Sequence, residues 1–163
     1  MTGFIGANPN GTYAATVSTS ANQDAGQAWG LGDRVQDYAG NAFVFVSAST
    51  SITSYQAVAV ATNYYAIPAT SAAATAQSMA GIAGVNGISS GSWGWVQTRG
   101  NFSGVQVLST CSASSWIYTT ATAGSLDDTS TSQVKVAGLT INANQTVPAA
   151  AAAFSAVDIF FAL

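Results

Sequence analysis

Apolar and polar positions alternate most regularly over residues 92–100. With period two, Trp93, Trp95, Gln97 and Arg99 fall on one face of a strand, and Gly94, Val96 and Thr98 on the other. The first face is graded: two large aromatics, then an amide, then a cation. Gly91 and Gly100 flank the run and permit turns at both ends. Two Trp side chains spaced this way can bury several hundred Å2, at ~150–250 Å2 each. The run is read as a central strand on which the other strands pack. Its Trp pair is read first as core. The sharper reading places Trp93, Trp95 and Arg99 in a subunit contact, because Trp and Arg are enriched at interface hot spots.

The clearest hairpin joins 33–38 to 42–47, with Gly40-Asn41 as its turn pair. Phe43 and Phe45 alternate with Val44 and Val46, so both faces of that strand are apolar and both are expected to be covered. Arg34 is expected to pair locally with Asp33 or Asp37. Further strands are read at 57–61, 64–67 (stopped by Pro68), 79–85, 104–108, 115–119, 133–136 and 157–163. Asn86-Gly87 is a turn. The Ala/Thr/Ser run 69–78 is read as a loop with one helical turn, 124–130 as a loop, and 142–153, with Pro148 and five consecutive alanines, as a long connection. Short strands with Gly, Asn and Ser turns at fairly regular spacing argue for an all-β fold, a compact β-barrel or β-sandwich. No exact internal repeat points to a solenoid or propeller.

Residues 1–28 differ from the rest. They are Gly, Ser, Thr, Asn and Ala with sparse anchors at Phe4, Ile5, Tyr13 and Val17, too little to bury a core. They read as an extended N-terminal arm, flexible or ordered by a partner that grips Phe4, Ile5 and Tyr13. Residues 29–163 then form one all-β domain.

Charge narrows the function more than any motif. The cations are Arg34, Arg99 and Lys135, and the six acids are all aspartates. Three scattered cations cannot neutralise a run of phosphates, so neither nucleic acid nor an anionic membrane is an expected partner. No run approaches the ~18 apolar residues of a membrane span. Met1 to Pro9 lacks a basic region followed by an apolar stretch, so no secretion signal is expected. Only 6% of residues are charged while 48% are hydrophobic, and the mean hydropathy is positive. Against the usual ~25% charged, such a surface lacks protection from association. Much of it is expected to be covered by identical subunits or another partner; a neutral-surfaced monomer is the alternative.

Most reaction chemistry fails for want of parts. The chain has no histidine and a single cysteine, Cys111, read as a small buried hydrophobe. That removes Ser-His-Asp and Cys-His catalysis, ordinary zinc sites and disulfides. No phosphate-binding glycine loop is present. Asp127-Asp128-Thr129 offers clustered oxygens for Ca2+, but Ser/Asp-rich turns are common without metal. Asp33, Asp37 and Asp158 could supply a carboxylate pair for glycoside hydrolysis, yet such clefts carry more acid, His and Arg than this chain owns. No enzyme activity, cofactor or metal is expected.

Two stretches carry a resemblance. The run Leu31-Gly32-Asp33-Arg34-Val35, continued by Asp37-Tyr38-Ala39-Gly40-Asn41-Ala42-Phe43-Val44-Phe45-Val46-Ser47-Ala48, resembles the opening of small tailed-phage capsid decoration (head cement) proteins. There a leucine-glycine start precedes a short hairpin and an apolar strand. Met79-Ala80-Gly81-Ile82-Ala83, followed by Gly94-Trp95-Val96-Gln97-Thr98-Arg99-Gly100, looks like the core of the same family. The resemblance covers about residues 31–108, with a weaker echo in the closing strand. The long neutral N-terminal segment and the alanine-rich connections depart from it.

The resemblance implies a β-barrel or tulip-like module on the outer surface of an icosahedral virion head, assembled in the host cytoplasm. It implies the major capsid protein as partner, self-association favouring a trimer, and a role in cementing neighbouring capsid subunits. The alternative is a glycan- or receptor-binding β module of a phage tail or cell surface. Burial of Trp93, Trp95 and Trp116 separates the two: buried rings favour cement, and rings facing a solvent cleft favour a glycan platform.

Overall fold

A computed structural model of the chain describes residues 12–13, 29–77, 79–109, 111–113, 116–131, 133–142 and 149–162. The strands in chain order are β1 (Thr12–Tyr13), β2 (Arg34–Gln36), β3 (Ala42–Ala48), β4 (Ala57–Val60), β5 (Tyr65–Pro68), β6 (Met79–Ala83), β7 (Trp93–Val107), β8 (Ile117–Thr119), β9 (Leu126–Asp127), β10 (Lys135–Ala137), β11 (Thr140–Ile141), β12 (Ala149–Ser155) and β13 (Phe160–Ala162). One six-residue helix, α1 (Ser71–Ala76), lies between β5 and β6. The Thr70 hydroxyl caps it by accepting from the Ala73 N–H. Among the described residues no helix is long and apolar enough to cross a membrane.

The fold is all-β, and its pairings close two rings that share the β6–β7 ladder. One runs β7–β9–β8–β10–β13–β6 and back to β7. The other runs β6–β4–β5–β3–β7 and back to β6. Closure of this kind removes exposed strand edges. Each ring has its own apolar filling. Val44, Val46, Val58, Val60, Ala66 and Val96 meet in the second, while Ile82, Val107, Ile117, Leu126, Val136 and Phe161 belong to the first. β4 lies between the two fillings, which explains its Ala-Val-Ala-Val sequence: Val58 and Val60 face one cluster, Ala57 and Ala59 the other, and all four are buried. On β6, a Cβ at Gly81 would lie 2.8 Å from Val96 Cγ2, so a glycine lets β6 approach β7.

The central strand is longer than its alternation indicates. Gly100 does not end it: β7 runs fifteen residues through Gly100 to Val107 and absorbs the expected separate strand at 104–108. Its first half pairs with β3 and its second with β12. At the changeover Gly100 has φ +101°, and the β3 register slips between Ala42 and Phe43. This is a bulge: the positive φ that signals a turn in sequence here bends a continuous strand.

Three other expectations are corrected. The stretch 124–130 is not a loop throughout, because Leu126–Asp127 form β9 between β7 and β8. The alanine run is not a connection but strand β12, with Ala151, Ala153 and Ser155 buried and Ala152 and Phe154 exposed. Arg34 pairs not with Asp33 or Asp37 but with Asp158, at 2.9 Å. That carboxylate also accepts from the buried Thr98 hydroxyl at 3.1 Å, tying the turn before β13 to the bulge.

Candidate functional site

The bend of β7 gathers Asp37, Asn41, Gln97 and Asn101. Asp37 begins the β2–β3 turn. Its Oδ1 accepts from the Ala39 and Asn41 N–H groups at 2.9 Å each, and its Oδ2 from Asn41 Nδ2 at 2.7 Å. The turn therefore spans Asp37 to Gly40 and is set by the Asp side chain. Asn41 Oδ1 in turn accepts from the Asn101 N–H at 2.8 Å. It occupies the place a Cβ on Gly100 would take, 2.1 Å away. From the other side Gln97 Nε2 donates to the Arg99 and Asn101 carbonyls, each at 3.0 Å. The bulge is thus clamped by three amide or carboxylate side chains.

Trp95 sits beside this clamp. It is 2% exposed and packs edge-on against Trp29, ring centroids 5.3 Å apart, and tilted against Phe45 at 5.0 Å. The expected contact surface therefore loses Trp95, which is spent inside its own chain. Trp93 and Arg99 stay partly exposed. The expected arm is described only at β1, which pairs with β7 through Thr12 opposite Gly94 and Tyr13 opposite Trp93. Phe4 and Ile5 lie outside the described residues, as does the Tyr13 side chain. Trp116 is 54% exposed, with the Lys135 ammonium 3.1 Å from its ring centroid.

A cavity of about 260 Å3 opens at the bend. Asp37, Asn41, Gln97, Asn101 and Ser103 line it on the polar side, and Phe43, Ile82 and Trp95 on the apolar side. The Trp95 indole Nε1–H is buried and has no hydrogen-bond partner. The sequence signals for this place are an Asp four residues before an Asn and a glycine inside a strand. Neither tells that they meet.

A second cluster joins Cys111 to Asp127 and Asp128, their ligand atoms within 4.8 Å of one another. Burial, and then the Asp128 and Asp127 charges, push the Cys111 thiol up to about 11. Burial works against the Asp128 charge, but hydrogen bonds from Ser112, whose N–H lies 3.0 Å away, and with Asp127 hold it below the ordinary carboxylate value. The thiol is therefore protonated at neutral pH and a poor nucleophile.

The chain matches no protein-family model, and comparison with curated proteins and with solved structures found no match.

Proposed function

We propose that this protein is a structural virion component that binds the outside of an icosahedral phage head and cements neighbouring major capsid subunits. One observation carries the reading. On a chain with 6% charged residues, Tyr65, Val85, Trp116, Phe154, Val157 and Phe160 are all exposed, apolar area that a protein partner would bury. The stretch that resembles decoration proteins, 31–108, folds into β2–β7 and supplies one complete ring. Of the three discriminating rings, Trp95 is buried against Trp29 and Phe45 and favours cement, whereas Trp93 is half-buried and Trp116 is 54% exposed beneath the Lys135 ammonium. The mechanism is linkage. A protein that binds only the assembled shell stabilises it by mass action, and several copies on one lattice add avidity.

The test is co-sedimentation of the full chain with expanded empty heads of its own phage, beside a truncation beginning at Trp29 whose circular dichroism matches. Saturable binding supports the reading. A sharp fall on truncation assigns the main contact to 1–28, and undiminished binding assigns it to the barrel. Absence of binding by the full chain overturns the reading.

A further inference from the structure

We propose that the cavity at the bend of β7 binds one hexopyranose ring of a saccharide. The inference is independent of the capsid reading, since it rests only on the lining of the cavity.

Hydrogen-bond accounting sets the ligand class. Gln97 commits its Nε2 to the Arg99 and Asn101 carbonyls, which leaves Oε1 as an acceptor. Asp37 and Asn41 are tied to each other and to the bulge, and a carboxylate oxygen retains a second lone pair. Asn101 and Ser103 present exposed side chains two residues apart on β7. Trp95 lines the cavity, but its indole N–H is sealed from water and makes no hydrogen bond, so the ring is a reporter beside the site and not a ligand donor. The lining thus mixes donors and acceptors at close range. A hydroxyl group, which donates and accepts at once, matches such a set, and a ring bearing several hydroxyls matches it repeatedly.

Other classes fit less well. No cation lines the cavity among the described residues, and Asp37 repels anions, so phosphates and free carboxylates are disfavoured. Five polar side chains disfavour a purely apolar ligand. The cavity measures about 260 Å3. That volume lies just below the ~300–1,000 Å3 of drug-sized sites, which suits a single ring. Phe43 and Ile82 supply the apolar wall on which the C–H face of a pyranose rests.

The full chain, 15N-labelled, is titrated with methyl α-glucopyranoside, methyl α-galactopyranoside, methyl α-mannopyranoside and N-acetylglucosamine. The readout is the Trp95 indole N–H resonance, assigned by through-bond experiments. The expected result is a saturable shift with at least one sugar, at a Kd of order 1–10 mM for so small a ligand. Asn101→Ala and Ser103→Ala, both at exposed side chains, are expected to weaken it at least about fivefold each with unchanged melting. Inorganic phosphate is expected to leave the resonance in place. No saturable shift up to about 100 mM of any of the four overturns the site. So does binding undiminished in both variants, or an equal response to phosphate. Heads are absent from the experiment, so its failure leaves the capsid reading standing, and failure of head binding leaves this one.

Discussion

Gly100 shows how much one residue carries. Its φ of +101° is costly for any other residue, and the space beside it is filled by Asn41. Gly91 has a similar φ of +73°, but a Cβ there would meet nothing within 4 Å. The pair separates strain from collision. Gly91→Ala is expected to cost about 1 kcal/mol, the backbone term alone. Gly100→Ala is expected to cost at least about 2 kcal/mol more, because it also dislodges the Asn41 clamp on Asn101. Urea melts followed by Trp fluorescence measure both; equal costs would remove the clamp from the account. Cys111 makes a second case. Its thiol is held at about 11 against an ordinary 9.0, so the folded state keeps its proton longer than the unfolded one. That stability is fully present below pH 9 and fades as pH rises to 11, by about 2 kcal/mol at 1.36 kcal/mol per unit. Wild type is expected to lose that much more than Cys111→Ala over the same range, and its thiol to resist iodoacetamide at neutral pH until the chain is unfolded.

At the scale of elements, period-two alternation was readable wherever large side chains marked it. The strands at Phe43–Val46, at the Trp pair and at Val58/Val60 lie where the alternation places them. Alanine hides it: β12 alternates burial through 151–155, yet its five leading residues are all alanine and cannot be told apart by hydropathy, so the strand reads as a linker. Its partner makes it a strand, through a ladder with the second half of β7. Ala151→Leu is therefore expected to overpack the interior by about 1–3 kcal/mol, while Ala152→Leu, on the open face, stays within about 0.5 kcal/mol. Similar costs at the two sites would mean that β12 is not seated as a strand. The candidate site was legible only in pieces for a related reason. Asp37, Gln97 and Asn101 each carry a local meaning, as a turn former and as polar strand positions, and only the bend brings them together. The Arg34 pairing failed likewise, because Asp158 lies 124 residues away in the chain.

The whole molecule has two apolar interiors and an outer surface with little charge to spend. Among the cations, Arg34 is in an exposed pair with Asp158, side chains 50% and 44% exposed, and Lys135 lies over Trp116. An exposed pair of that kind contributes at most about 1 kcal/mol. The proposed contact with a capsid lattice would then draw on apolar area such as Trp116, Phe154, Val157 and Phe160. Salt screens charge over about 8 Å at physiological strength and leaves apolar burial intact or slightly stronger. Association is therefore expected to hold or tighten as NaCl rises from about 50 mM to 500 mM, and to weaken on cooling toward 4 °C, where hydrophobic burial loses strength. Sedimentation velocity on the protein alone, and co-sedimentation with heads, both read this. A steep loss of association with salt would mean that its few charges carry the interface, and that the exposed aromatics are not the contact.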